Sequence, residues 1–134
     1  MSQQNSDYAI VKTVSSSYSE TIEAITKTLV EQGFGILTNI DISATLKNKI
    51  NVDYPRTIIL GACNPPFAHR ALSAVADVAV LLPCNVVVRE NDQGQVEIAA
   101  LNPRVIEQHV DNPEVRSVAK EIEQRIRTAM DGVN

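Results

Sequence analysis

The alternation of apolar and polar residues along the chain predicts five β-strands. The pattern is clearest in residues 95–101, where Val96, Ile98 and Ala100 share one face. The other segments are short apolar runs bounded by Gly, Pro, Asn or Ser, which is typical of strands. The predicted strands cover residues 8–14, 33–40, 56–60, 78–88 and 95–101.

Apolar residues at helical spacing predict five helices between and after these strands. Ile25 and Leu29 belong to one such stripe, and Ser17 or Ser19 can cap the start of that helix. Proline suits the first turn of a helix, so Pro65, Pro103 and Pro113 mark the starts of three others. The predicted helices cover residues 20–32, 41–50, 65–76, 102–110 and 113–130.

The second strand and the short helix after it carry more specific expectations. Asp41 or Ser43 can cap the helix, and Leu46 and Ile50 are expected to face the core. Within the strand, Gly35 is expected to permit close packing or a bulge, as an isolated glycine in a strand often does.

The apolar run over residues 78–88 is interrupted by Pro83. A proline in a central strand removes a backbone donor from the ladder. We therefore expect either one long strand with a bulge or two strands joined by a turn.

The resulting order, β-α-β-α-β-α-β-β-α-α, predicts an α+β protein. The chain has no long linker, fixed repeat or low-complexity tract. At 134 residues it has the size of one ordinary domain. We expect a disordered or extended tail over residues 1–7 and a single α+β domain over residues 8–134.

Composition limits the classes of partner. Apolar residues make up 44% of the chain and Trp is absent, so the core is expected to consist mainly of Ile, Val, Leu and Ala. The net charge is −4 and the basic residues are scattered. Because nucleic-acid binding requires clustered Lys and Arg, no nucleic-acid partner is expected.

The location of the protein is also constrained. No run approaches the roughly 20 apolar residues of a membrane helix, and the first seven residues lack the apolar core of a signal peptide. We expect a cytoplasmic protein with no membrane partner. In that compartment the two cysteines are expected to be thiols.

Two Cys-Asn pairs, Cys63-Asn64 and Cys84-Asn85, are the most informative chemical feature of the chain. Each cysteine closes or interrupts an apolar run, so both thiols are expected at one level of one sheet. Neighbouring thiols could form a reversible redox pair or part of a soft-metal site, although the spacing matches no CxxC or zinc-finger pattern. Alternatively, free cysteines are small buried apolar residues. The asparagines can hold loop backbone as Asx turns or bind a polar ligand.

His69 and Arg70 follow the first pair on the predicted helix. If that helix begins at Pro65, His69 lies just over one turn in and could point back towards the strand end, as a base or a ligand. Otherwise it hydrogen-bonds a loop. Arg70 could bind an anion at the mouth of the same pocket or lie on a solvated helix face. The candidate ligand-binding residues are therefore Cys63, Asn64, His69, Arg70, Cys84 and Asn85.

Three segments resemble the domain of unknown function 302 family: GFGILTNID at 33–41, GACNPPFAHRAL at 61–72 and LLPCNVVV at 81–88. The resemblance extends from about residue 8 to residue 130. It implies one antiparallel sheet with helices packed on one side, similar to the TATA-binding-protein-like architecture, and a homodimer. It implies no activity.

Three functions remain open. The first is a small-ligand or metal-binding module with its site at Cys63, His69 and Cys84. The second is a structural or interaction homodimer with no catalytic role. The third is a thiol-based redox protein or enzyme, with Cys63 as nucleophile, His69 as base and Cys84 as resolving thiol. No residue clearly orients His69, which counts against the enzyme. Neither a cofactor nor a metal is assigned.

Overall fold

A computed structural model describes residues 7–134, so the predicted tail over residues 1–7 lies outside it except for Asp7. Five strands form one antiparallel sheet in the order β1-β5-β4-β3-β2. They are β1 (Ala9–Val14), β2 (Gly35–Asp41), β3 (Thr57–Cys63), β4 (Cys84–Glu90) and β5 (Val96–Leu101).

The helices are α1 (Tyr18–Glu31), α2 (Ile42–Ile50), α3 (Pro65–Ala74), α4 (Arg104–His109) and α5 (Pro113–Asp131), with a 3₁₀ helix over Ala76–Leu81. The sheet and these helices confirm the predicted α+β class. Within residues 7–134, none of the helices has both the length and the apolar character needed to cross a bilayer.

The core lies between one face of the sheet and four of the helices. Alternate residues of the central strands, such as Val86 and Ile98, are fully buried on this face, as the period-2 pattern predicted. Helices α1, α3, α4 and α5 contribute to the same core. Ile25 and Ile126 are among the largest buried side chains, and each contributes roughly 1.5–3 kcal/mol to folding.

Side-chain caps fix where several helices begin. Ser17 Oγ accepts a hydrogen bond from the Glu20 N–H at 3.2 Å, and Glu20 Oε1 accepts one from the Ser17 N–H at 3.2 Å. This reciprocal pair is a capping box. Asp41 caps α2 through the Ala44 N–H at 2.9 Å, as predicted. These local bonds satisfy donors that the first turn of a helix leaves free.

The prediction of β structure over residues 78–82 is wrong. The chain forms the 3₁₀ helix there, with i→i+3 bonds from the Val78 N–H to Val75 O and from the Leu82 N–H to Ala79 O. Only Val78 of this helix is buried, whereas Val80 is 85% exposed. A cis Leu82–Pro83 bond then leads into β4.

The expectation that Ile50 faces the core is also wrong, because Ile50 is 63% exposed and no residue of α2 is buried. The helix follows β2, which is an edge strand of the sheet, and does not contribute to the core. The irregularity expected near Gly35 is present as a register shift between Ile36 and Thr38.

Candidate functional site

A cavity of about 290 Å³ lies between the ends of β3 and β4 and the helices α3 and α5. Its walls are almost entirely apolar and include Phe34, Ala71, Val118 and Ile122, all of which are buried. Leu37 also lines the cavity and is 65% exposed, so it marks where the cavity reaches the surface.

Both cysteines line this cavity. Cys63 is the last residue of β3 and Cys84 is the first residue of β4. Ala62 is the register partner of Cys84, so Cys63 lies one residue beyond the last pair of these two strands. Both cysteines are free thiols. The ends of β3 and β4 therefore place both cysteines in the wall of the cavity.

Burial controls the chemistry of Cys84. It raises the pKa of the Cys84 thiol to about 11, and the neighbouring Cys63 adds to the shift. The thiol is therefore protonated at neutral pH and supplies little of the thiolate that disulfide exchange or metal binding needs. Folding favours the neutral form, so this stabilisation is complete below the unfolded pKa of roughly 8.5. It is lost as the pH rises through about 11.

Asn64 is the polar side chain of the cavity wall and is only 6% exposed. It occupies the N-cap position of α3, but its side chain makes no capping bond. Instead, Asn64 Nδ2 donates to the backbone carbonyl of Gln32 at 3.2 Å, and Arg125 Nη1 donates to the same carbonyl at 3.0 Å. Asn64 thus joins the end of α1 to the start of α3, rather than forming an Asx turn.

Three of the predicted residues lie outside the cavity wall. His69 is exposed on α3, and Asn85 is exposed on β4. Arg70 makes a two-pronged ion pair with Glu114, at 3.0 and 3.2 Å. This pairing raises the pKa of Arg70 and lowers that of Glu114. Cys63, Asn64 and Cys84 are therefore together, whereas His69, Arg70 and Asn85 are not among the residues that line the cavity.

The apolar wall of the cavity was not predicted from the sequence. The small residues Ala68 and Ala71 of α3 and Ala119 of α5 leave space opposite the strand ends. The helical spacing of these residues predicts only that one side of each helix is buried. It does not reveal how far the helix lies from the sheet. Within residues 7–134, no group of three His, Cys, Asp or Glu side chains is arranged to hold a metal ion.

The fold and the cavity define an α+β protein with a single antiparallel sheet and an apolar chamber at one end of its central strands. The family model for domain of unknown function DUF302 matches residues 10–133, and the chain belongs to that family. A search among curated proteins found no match.

A solved structure gives the same assignment. The chain is similar to an uncharacterized conserved DUF302 protein from Bacillus stearothermophilus, with 28% identity and a TM-score of 0.88. The similarity covers 94% of this chain and 98% of that one. The whole fold is therefore common to both proteins.

Proposed function

We propose that this protein is a binding module for a small, uncharged and mainly apolar molecule. The cavity of about 290 Å³ is the observation that carries the proposal. An apolar protein cavity of roughly 150 Å³ can take up benzene. A space about twice as large suits two fused rings or a chain of similar volume. Such a ligand would gain dispersion contacts with walls that are almost entirely apolar.

The electrostatics of the wall support an uncharged ligand. No Lys, Arg, Asp or Glu is among the described residues that line the cavity. Moving an ion into such surroundings without a partner carries a large desolvation cost. The high pKa of Cys84 keeps that thiol neutral as well. A charged substrate therefore has no counter-charge at this site.

The same features favour binding over thiol chemistry. A nucleophilic thiol needs a base within hydrogen-bond reach, yet His69 is exposed and does not line the cavity. Cys84 is held as a neutral thiol. Free thiols accord with the reducing cytoplasm, which is the location we propose for the protein.

Filling the cavity provides the direct test. Ala71 lies in the wall and is 5% exposed, so Ala71→Leu should occupy part of the space. Naphthalene is a suitable probe, and its binding can be followed by chemical-shift changes in a two-dimensional NMR titration. We expect wild-type protein to bind naphthalene and Ala71→Leu to bind it at least tenfold more weakly, because the leucine takes the volume that the ligand needs.

Ala74→Leu is the matched control, since Ala74 is an exposed residue of the same helix and does not line the cavity. Its affinity for naphthalene should equal that of the wild type. Ala71→Leu should also keep or raise the thermal stability, because a side chain that enters an existing space causes little overpacking. Unchanged binding in Ala71→Leu, or no binding by the wild type, would count against the proposal.

We also propose that the protein forms a homodimer through the other face of the sheet. An apolar row crosses all five strands on the face opposite the core, formed by Val11, Ala99, Val87, Ile59 and Ile40 in register. The solvent-facing side of an antiparallel sheet is usually polar. Val11 and Ala99 are already buried within the chain, whereas Val87 and Ile59 are half-buried and Ile40 is 46% exposed. The part of the row on β4, β3 and β2 is therefore available to pack against another apolar surface.

A second copy of the chain is the occupant that the neighbouring charges favour. Arg89 and Glu97 lie in the next row of this face and pair with each other at 2.9 Å. Two copies can therefore pack together without burying an uncompensated charge from this row. Val80 and Tyr8 line a concavity on the same face and are 85% and 65% exposed.

Val80→Lys should disrupt this association, because a lysine at the interface would have to lose its hydration. We expect the wild type to elute at twice the 14.6 kDa of one chain in size-exclusion chromatography with light scattering. The dissociation constant of the variant dimer should be at least tenfold higher than that of the wild type. Val30→Lys is the control, since Val30 is exposed on α1, away from this face. Equal masses for all three proteins would contradict the proposal.

A further inference from the structure

We propose that the cavity selects molecules that carry one hydrogen-bond donor, a hydroxyl or an N–H group, which binds Asn64 Oδ1. The inference rests on the proposed binding function and specifies its ligand class. That class consists of neutral phenols, alcohols and indole-like compounds, in which one polar group is attached to a hydrocarbon body of about two rings.

The orientation of the Asn64 amide follows from its partner. The Gln32 carbonyl oxygen can only accept a hydrogen bond, so the group that faces it at 3.2 Å must be the Asn64 NH₂. The amide oxygen, Oδ1, is therefore turned away from this carbonyl. The Arg125 bond to the same carbonyl, at 3.0 Å, holds this arrangement in place.

Asn64 Oδ1 is an acceptor that the described part of the chain does not satisfy. Its residue is 6% exposed and lines the cavity, and no donor within residues 7–134 bonds to this oxygen. Oδ1 keeps some accessible surface, because Arg125 Nε is the one buried side-chain N or O atom of residues 7–134 that lacks a partner. A ligand donor that reaches Oδ1 would supply one, whereas an apolar ligand of the same shape would displace solvent from Oδ1 and leave it unpaired.

The chemistry of the wall excludes the other polar ligands. A carboxylate would place its own acceptor oxygens against Oδ1, and no cationic side chain among the described residues lines the cavity to offset its charge. An ammonium group would lack a carboxylate partner for the same reason. Only a neutral donor matches both the single amide oxygen and the apolar walls.

Two ligands of nearly equal shape test this selection on the wild-type protein. 2-Naphthol and 2-methylnaphthalene differ only in a hydroxyl and a methyl group. We expect 2-naphthol to bind about tenfold more tightly at neutral pH, although the methyl compound is the more hydrophobic. Calorimetry or an NMR titration would give both dissociation constants. Equal affinities, or tighter binding of the methyl compound, would overturn this inference while leaving the binding function intact.

Replacing Asn64, which carries the acceptor oxygen, provides the second part of the test. In Asn64→Ala the preference for 2-naphthol should fall to within about twofold, with 2-methylnaphthalene still bound. Asn85→Ala, which removes an exposed amide outside the cavity wall, should keep the full preference. If Asn64→Ala does not fold, the wild-type comparison still decides. Failure of both ligands to bind the wild type would overturn the inference together with the proposed function.

Discussion

Replacing Arg89 with methionine is expected to lower the free energy of unfolding by about 3 kcal/mol. Arg89 Nε donates to Glu97 Oε1 at 2.9 Å, and the Glu97 side chain is only 1% exposed. Removing the arginine takes one positive charge away from a buried carboxylate. Asn91 Nδ2 still donates to Glu97 Oε2 at 3.2 Å. This remaining bond keeps the expected loss at the lower end of the range for a broken buried pair.

Arg116→Met is the matched control. Arg116 pairs with Asp111 at 2.8 Å and its exposure, 41%, is close to the 36% of Arg89, but Asp111 is fully exposed. An exposed pair contributes at most about 1 kcal/mol, so this variant should be nearly as stable as the wild type.

Urea denaturation followed by circular dichroism would measure both variants, since the chain has no Trp for fluorescence. Similar losses in Arg89→Met and Arg116→Met would show that burial of the acidic partner is not what makes the Arg89 pair important.

Most of the sheet could be predicted because burial on one face imposes a strict period of two on a strand. The residues Val96, Ile98 and Ala100 of β5 face the core for this reason. The run over residues 78–82 lacks such a constraint. A short apolar run is compatible with a strand or a helix. The 3₁₀ helix is stabilised by turn bonds between neighbouring residues, which the pattern does not specify.

The candidate site was predictable in part for the same reason. Cys63 and Cys84 end or begin adjacent strands, and strand register determines where such residues meet. The position of His69 depended instead on the rotation of α3 about its axis. Successive residues of a helix are about 100° apart. With Ala68 and Leu72 towards the cavity, His69 points away from it.

Gly35 was expected to permit close packing or a bulge, and the register shift lies beside it, whereas the close packing occurs at Gly61. A side chain at Gly35 would have no neighbour within 4 Å. At Gly61, a Cβ atom would overlap Thr38 Oγ1 and lie 3.0 Å from Pro83 Cγ. The sequence could not distinguish these glycines, because the crowding at Gly61 arises from residues that are distant along the chain.

Gly61→Ala is therefore expected to lower the free energy of unfolding by about 2 kcal/mol, as overpacking does in a filled site. The Thr38 hydroxyl can rotate away, but the ring of Pro83 is rigid and must move with its backbone. Pro83 also lines the cavity. The variant should consequently bind naphthalene more weakly than the wild type, which the NMR titration would measure alongside the urea denaturation.

Gly35→Ala separates crowding from the general effect of replacing a strand glycine. With open space around it, this variant should be as stable as the wild type or more stable by about 0.5 kcal/mol, because alanine reduces the conformational entropy of the unfolded chain. Adding Thr38→Ala to Gly61→Ala should restore part of the stability, since it removes the Thr38 overlap and leaves only the Pro83 contact. If Gly61→Ala and Gly35→Ala were equally stable, the sheet would have to accommodate a methyl group between Thr38 and Pro83 without displacing the cavity wall.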